Sequence, residues 1–501
     1  MIRVALLTLF CTFLTVFAWR DWFKALCGLI LLMAVVEHPD MPKSLAGIQG
    51  LNPWNIVLFS VVCAWRVQRK KEGLTWDMPR GINWLLILYL VVTLVSTARL
   101  LADYHGVLEF TIAKETDPPT VGSMVSEFLI NTVKWVFPGL MLYDGCRDRT
   151  RLKWAVAAVL LVYVGLAIQV IKWMPLANIS NGADLAARSL KILMREVGYH
   201  RVNIAVILAG GGWAIFAARV LVDKTWQVWM MTLASVMVAF ALALTGGRAG
   251  YATWAAVGAI LALIRWRKYL ILGPILGMVV LSAVPAVRER MLNGFTAESQ
   301  DTNGRLDPSM QNMQIQGGKA DAYTVTAGRN IAWPFVIHAI GKAPFFGYGR
   351  EAMQNTGIAT RLFVDYGEDF PHPHNAYLQW LLDNGWIGAI PVFLFYLIIM
   401  KRSISLFKDS RSVIFIAVGG ICLSLTAAVL IGALGSQTFY PREGAVGMWC
   451  GIGLMFRVYV ERARIAEQFV EARRERSSGA WERWLWPLKA PGQVTGQWAK
   501  A

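Results

Sequence analysis

The strongest constraint in this sequence is its series of uninterrupted apolar runs, too long and too evenly apolar to be one face of a soluble helix. A helix needs about 20 mostly apolar residues to cross a bilayer's hydrocarbon core, within a usual range of roughly 17–25. Runs that meet or approach that length cover residues 4–19, 25–36, 54–65, 82–98, 128–143, 154–173, 202–222, 226–244, 251–264, 269–284, 376–400, 413–434 and 445–460. They predict an all-α polytopic membrane protein with 12–13 transmembrane helices, the count turning on 25–36. Composition agrees, because 56% of the residues are hydrophobic and 16% charged, against roughly 45–50% and 25% in soluble chains. Disorder, a collagen-like repeat and a disulfide-stapled secreted scaffold are excluded. No cleavage pattern follows the first run, which is read as a retained span.

The chain carries 49 Lys and Arg against 32 Asp and Glu, a net charge of +17. In a soluble protein that excess would suggest nucleic acid. Here the basic residues cluster in alternate loops, at 66–71, 147–153, 265–268, 401–411 and from 457 onward. The positive-inside rule makes these loops cytoplasmic. No nucleic-acid partner is implied; membrane lipids are the partners of that charge. The remaining loops face outward, including the longest, 285–373, between the tenth and eleventh spans and long enough to be functional. With Arg20 and Lys24 inside, parity gives 13 spans and an outside N-terminus; losing one early span puts both termini inside. The expected organisation is N-terminal spans over 1–284, an outer loop with an amphipathic helix over 285–373, C-terminal spans over 374–460 and a basic cytoplasmic tail over 461–501. That tail reads equally as an interfacial helix ending in Trp481, Trp484 and Trp486 or as a solvated extension. Cys11, Cys27, Cys63, Cys146, Cys422 and Cys450 are isolated and read as small buried apolar groups.

Ionisable residues at the ends of spans need partners or a purpose. Four outward places stand out. Leu244-Thr245-Gly246-Gly247-Arg248-Ala249-Gly250 joins two apolar runs. Its glycines allow a sharp turn with accessible amides, and Arg248 offers a fork of donors, which suits a phosphate or diphosphate. The alternative is an arginine snorkelling to headgroups. Thr326-Ala327-Gly328-Arg329 opens a stretch whose Ile331, Phe335, Val336 and Ile340 share one helical face. That pattern predicts an amphipathic helix on the membrane with Arg329 at its start; an ordinary interfacial anchor is the other reading. Pro371-His372-Pro373-His374-Asn375-Ala376-Tyr377 places histidine at the mouth of a span. Imidazole suits proton transfer near neutral pH, while a helix-capping or surface histidine is the bland alternative. No further Cys or His completes a metal set around this H-x-H. Finally, Arg442 in Gln437-Thr438-Phe439-Tyr440-Pro441-Arg442-Glu443 either adds charge to the same cavity or forms a surface pair with Glu443. Together the arginines and a histidine on one face would attract an anionic group at the bilayer surface, such as a lipid diphosphate.

At these motifs the chain resembles the bacterial O-antigen ligase and O-antigen polymerase superfamily. The resemblance rests on Thr245-Gly246-Gly247-Arg248-Ala249-Gly250, on Gly328-Arg329 followed by Trp333, and on Lys342-Ala343-Pro344-Phe345-Phe346-Gly347-Tyr348-Gly349. His374-Asn375-Ala376-Tyr377-Leu378-Gln379 with Asn384-Gly385-Trp386-Ile387-Gly388 completes it, in matching order and spacing. It covers residues 205–453. It implies a GT-C-like glycosyltransferase of the bacterial inner membrane with a periplasmic active site. The donor would be an undecaprenyl-diphosphate-linked glycan and the acceptor a hydroxyl, on lipid A core for a ligase, on another lipid-linked repeat for a polymerase, or on a protein for a protein O-oligosaccharyltransferase. The ligase reading is preferred. Carried over by position, Arg248 and Arg329 would grip the diphosphate and His374 would activate or position the acceptor. His372, Asn375, Tyr377 and Arg442 are the further candidates for binding substrate. No cofactor is implied. The family's acidic residue before the glycine is replaced by Asn384, with Asp383 beside it. There is no D-x-D, only Glu115-Thr116-Asp117, so transfer is expected to be metal-independent.

A polysaccharide transporter or flippase is the competing class. Transporters place ionisable groups near the bilayer midplane and often carry internal repeats, whereas these motifs cluster at one face and no repeat is visible. The stretch 293–323 is polar, rich in Gly, Gln and Asn, and matches nothing; it is read as a lid or an insertion.

Overall fold

A computed structural model describes residues 2–45, 48–292, 326, 328–435 and 438–475. The polar stretch 293–323 and the tail tryptophans lie outside the described residues. Each apolar run falls at least partly on helix. Among the described residues six helices are long and apolar enough to cross a membrane: Arg80–Ala102, Arg149–Trp173, Arg201–Leu221, Thr225–Leu244, Ala376–Lys408 and Val413–Gly432. Arg3–Phe17, Trp22–Ala34 and Arg248–Ile264 are shorter apolar helices. Among the described residues the only strands are the two-residue pair Ser44–Leu45 and Ile48–Gln49. The protein is therefore an all-α, multi-pass membrane protein. Its outer helices show apolar faces to the surroundings, as with Trp229, Met230, Leu233 and Val236, the reverse of a soluble amphipathic helix.

Two helices form the centre. Val413–Gly432 is buried over 83% of its apolar window and Arg201–Leu221 over 67%, whereas Thr225–Leu244 reaches 22%. Between lipid-like surfaces there is little hydrophobic drive, so close backbone approach through small residues supplies the attraction. Val206 meets Gly432, Gly210 meets Ala428 and Ala217 meets Gly420. The pairs run in reverse order, so the two helices cross antiparallel.

The basic clusters meet at one end of the bundle. Asp77 accepts hydrogen bonds from Tyr143 Oη (2.9 Å), Arg147 Nη1 (3.0 Å), Arg464 Nη2 (2.6 Å) and Arg457. Asp144 accepts from Arg69 Nε at 2.6 Å and Trp65 Nε1 at 2.9 Å. Arg462 pairs with Asp409 at 3.3 Å, and Arg265 Nη1 donates to Phe407 O at 3.2 Å. Burial alone would raise the Asp77 carboxyl, but Arg457, Tyr143 and Arg147 outweigh it and hold the group at about 2. Arg248, Ala376 and Gly432 stand at the far ends of helices whose other ends join this network.

Three expectations change. The run 128–143 is not one helix: a π-helical turn over Ser126–Ile130 and the short Asn131–Lys134 helix precede Phe137–Gly145, with Pro138 unable to continue a hydrogen-bond ladder from before it. The Arg329–Lys342 helix exists, but it turns Ala332, Val336 and Ala339 onto Phe110, Met353, Leu362, Phe370 and Leu382. It packs on protein because the outer segment folds its own small core, with Ile358–Tyr366 and Ala352–Asn355 contributing. The basic tail up to Glu475 begins no new element; it prolongs the helix Val446–Glu475.

One backbone clasp positions the rest. Within Ala376–Lys408 the chain breaks at Gly385, with φ 60° and ψ −170°, a region essentially reserved for glycine. The break frees carbonyls and amides that the 344–349 turn takes up. Leu382 O accepts from Tyr348 N (2.9 Å), Asp383 O from Gly349 N (2.8 Å), Pro344 O from Trp386 N (2.8 Å) and Phe345 O from Ile387 N (3.1 Å). Arg99 fastens the turn by donating to Phe346 O at 2.7 Å and Gly347 O at 2.8 Å. A Cβ on Gly385 would lie 2.3 Å from the Phe345 carbonyl. Gly385→Ala should therefore lower stability by more than about 2 kcal/mol through dihedral strain and clash. Gly341→Ala, in a helix with nothing within 4 Å of the added carbon, should raise it by up to about 1 kcal/mol. Thermal unfolding in detergent compares them, and equal melting temperatures for Gly385→Ala and wild type would contradict the clasp.

Candidate active site

The Thr245–Gly250 turn is built for close packing. Gly246 reverses the chain at φ 64°, and Arg248 is the first residue of Arg248–Ile264. A Cβ at Gly247 or Gly250 would stand 2.8 or 2.4 Å from Ala205 Cβ. The amides of Gly246, Gly247 and Gly250 are bonded within the turn, to Ala243 O (3.4 Å), Thr245 Oγ1 (3.3 Å) and Gly247 O (2.9 Å). The expected row of accessible glycine amides is thus replaced by a compact joint, and anion binding falls to side chains.

Those side chains are arginines gathered from separate elements. Arg201 begins its helix and donates from Nη1 to Ala186 O at 2.7 Å. Arg290, on Pro285–Leu292, donates from Nε to Gly246 O at 3.2 Å. Arg329 follows left-handed Gly328 and donates to Thr326 O at 3.2 Å and Gly435 O at 2.5 Å. These partners are neutral carbonyls, so the positive charge persists. Burial, then Arg201 and Arg248, bring the Arg290 guanidinium down to about 10. Arg329 is lowered by burial and then by Arg248. The buried Nε atoms of Arg201 and Arg329 have no hydrogen-bond partner among the described residues, as is also true of Arg188, Arg350 and Arg457, so these donors are open to a ligand or water but do not by themselves mark the site. Arg201, Arg248 and Arg329 each open a helix, where the helix dipole adds positive potential. An anion would relieve Arg201, Arg290 and Arg329.

The histidines border this cradle. Trp333 Nε1 donates to Pro373 O at 2.9 Å, and Ala376 N donates to Ala433 O at 2.8 Å, fixing the segment between them. His374 adopts φ 50°, and its ring sits edge-on to Phe370 at 5.4 Å and to His372 at 4.3 Å. Glu351 is also left-handed, at φ 57°. Both strained residues line one cavity of roughly 230 Å³, shared with His372, Gln379, Tyr440 and Arg442; such strain concentrates at functional sites. Burial, then His372, Arg329 and His200, push His374 down to about 3. His372 is lowered first by burial, with Arg442 and Arg329 acting the same way, and His200 by burial, Arg201 and His372. The imidazoles are neutral at physiological pH and keep an acceptor nitrogen. Burial raises the Glu351 carboxyl despite Arg350 and a 2.8 Å hydrogen bond from Gln354.

The structure therefore brings Arg248, Arg329, His372 and His374 together, with Arg442 also lining the cavity, 3.1 Å from Glu443. It gives Asn375 and Tyr377 other work. Asn375 Oδ1 caps the helix by accepting from Tyr377 N (3.0 Å) and Leu378 N (3.2 Å), and Tyr377 Oη donates to Leu430 O at 2.9 Å. Asp383 is buried in the clasp, accepting from Ala352 N at 3.2 Å and Tyr440 Oη at 3.0 Å. His200, Arg201, Arg290 and Glu351 were missed by the motif reading. His200-Arg201 satisfies the criterion that singled out Arg248, an ionisable pair at the mouth of a span. Arg290 and Glu351 carry no local signal. Among the described residues no group of three or more His, Cys, Asp or Glu side chains is placed to hold a metal.

Residues 233–393 match the family described as O-Antigen ligase. That segment contains Arg248, Arg290, Arg329, Glu351 and both cavity histidines. That match supports the O-antigen ligase and polymerase superfamily for this segment. No curated protein matches the chain. With the apolar helices the family match supports a membrane enzyme of the O-antigen ligase family, a family that implies a lipid-linked glycan donor and a glycan acceptor. A cationic cradle with unfilled donors should bind inorganic pyrophosphate, raising the melting temperature, by about 2.7 kcal/mol of stabilisation at a hundredfold excess over Kd. Arg201→Ala and Arg290→Ala should remove most of that shift. A melting temperature indifferent to pyrophosphate would show that the arginines do not form an anion site.

Proposed function

We propose that this protein transfers a glycan from undecaprenyl diphosphate to an acceptor hydroxyl at the periplasmic face of the inner membrane, by a metal-independent route. The observation that carries the reading is the meeting of the arginine cradle and the histidine cavity at the bundle end opposite the ion-paired basic clusters. By the positive-inside rule the basic end is cytoplasmic, which puts the site outside. The expected 12–13 spans and the outer segment 285–373 belong to the same proposal.

Arg201, Arg248, Arg290 and Arg329 hold the diphosphate and stabilise the negative charge that grows as it leaves. The acceptor oxygen attacks the anomeric carbon of the donor sugar. The bond from that carbon to the phosphate oxygen breaks, its electron pair leaving with undecaprenyl diphosphate. The hydroxyl proton passes to an imidazole nitrogen of His374. With its basicity depressed in the empty site, His374 becomes a better base once the donor's negative charge offsets Arg329, so proton acceptance is coupled to donor binding. The donor is already activated, and positioning with charge stabilisation supplies the remainder. Arg329 acts against a cation at the His374 imidazole, which supports transfer without metal.

His374→Ala and Arg248→Ala should abolish transfer at unchanged membrane abundance, with His372→Ala milder; wild-type transfer by either of the first two sinks the assignment. Activity should survive EDTA, whereas loss restored by Mg²⁺ or Mn²⁺ would refute metal independence. His374 must be neutral to accept a proton, so activity falls as pH drops through its pKa. With that value near 3 in the free protein, kcat/KM should show no acid limb at the ordinary 6.5, and the kcat limb should lie at higher pH than the kcat/KM limb. A kcat/KM limb at the ordinary imidazole value contradicts the account. A deletion strain separates the two activities: unattached long lipid-linked chains mean a ligase, single repeats a polymerase.

A further inference from the structure

A second cavity, of roughly 540 Å³, adjoins the histidine cavity and shares Glu127, Phe128, Asn131, Trp135, Arg442 and Glu443 as a common wall. Its size falls within the roughly 300–1,000 Å³ of small-molecule sites. Its electrostatics differ from those of the arginine cradle. Glu37, Glu127 and Glu443 face Lys43, Lys134 and Arg442, so the formal charges cancel. The wall's groups are already arranged in donor–acceptor pairs: Asn131 Nδ2 donates to Glu127 Oε2 at 2.7 Å, and Lys134 Nζ to Asn55 Oδ1 at 3.0 Å. The backbone there is the broken stretch 121–136, with its π-helical turn at Ser126–Ile130. Irregular backbone within what the sequence reads as a span is tolerated where it lines a polar cavity, and π-turns recur at functional sites.

We propose that this second cavity is the acceptor subsite and that it takes an uncharged sugar. The inference rests on the glycan-transfer reading and deepens it. The two sides of His374 then divide the labour: the cradle holds the anionic half of the donor, and the neutral chamber holds the hydroxyl-bearing acceptor. A sugar presents many hydroxyls, each both donor and acceptor, which the carboxylate, amide and ammonium groups of this wall can satisfy. A sugar bearing a carboxylate or phosphate would bring a charge into a chamber with no net counter-charge and lose its hydration without return. Trp135 adds an apolar surface at the junction of the two cavities.

The test uses the full chain in lipid nanodiscs and saturation-transfer NMR with neutral trisaccharides of glucose, galactose and mannose, with trigalacturonate as the anionic counterpart and a serine-containing peptide as the non-glycan one. At least one neutral trisaccharide should bind wild type. Trigalacturonate should bind about tenfold more weakly or worse, the scale of an unpaired charge. Ser126→Trp, which fills the chamber alone, and Glu127→Gln should each weaken the neutral sugar by about tenfold, the loss of a hydrogen bond to a charged group. Pyrophosphate protection reports folding in each variant. Absence of binding by all three neutral sugars, equal binding of trigalacturonate, preference for the peptide, or indifference to both substitutions overturns the proposal. If pyrophosphate still protects wild type, the transfer reading survives that outcome; if wild type neither binds pyrophosphate nor transfers glycan, the transfer reading itself fails.

Discussion

A guanidinium can be taken out of water only against compensating charge or hydrogen bonds, and the two ends of this bundle meet that demand in opposite ways. At one end Asp77 and Asp144 sit among Arg69, Arg147, Arg457 and Arg464, and the positive charge is answered within the chain. At the other end Arg201, Arg290 and Arg329 lean on neutral carbonyls and crowd one another and Arg248. Leaving a charge uncompensated costs stability. A functional site is where such a cost is retained, because a substrate supplies the missing negative charge. Burial first, and the neighbouring arginines after it, lower the basicity of the histidines beside them.

Placing His374 beside this field is a matter of backbone. The clasp at Gly385 sets the direction of the helix whose start carries Asn375, and Asn375 holds the first turn through two amides. Trp333 and Ala433 pin the preceding segment from different elements. His374 is thereby held in a left-handed conformation that its side chain disfavours. The motifs around Gly347–Gly349 and Gly385 are two halves of one joint. Their contribution to chemistry is indirect, through the position of the imidazole.

Much of this was legible in the sequence. The apolar runs located the helices, because a span announces itself by length alone, and the basic clusters marked one end. Arg248 and His374 were visible because each stands at the mouth of a span within a glycine- or proline-bounded turn, and Arg329 because it follows a glycine at the start of a helix in the outer segment. Arg290 was hidden, since it lies in an unremarkable R-E-R stretch and reaches the site only by folding back onto Gly246. Glu351 was hidden for a similar reason, as nothing local indicates that the turn after Gly349 faces the histidines. Asn375 and Tyr377 neighbour the site in sequence, and the fold also uses them elsewhere: Asn375 Oδ1 caps the helix start and Tyr377 Oη donates to Leu430 O. Hydropathy also joined 128–143 into one span, because it registers apolar content and not the Trp135–Pro138 break that opens a polar cavity.

The central claim is that one diphosphate sits among these four arginines with its sugar turned toward His374. A cryo-electron microscopy map of the protein in nanodiscs with an undecaprenyl-diphosphate-linked sugar tests it directly. The account predicts diphosphate density in contact with Arg201, Arg248, Arg290 and Arg329, and the anomeric carbon facing the His374 ring. Diphosphate density at the Asp77 end of the bundle, or bound away from these arginines, would contradict it.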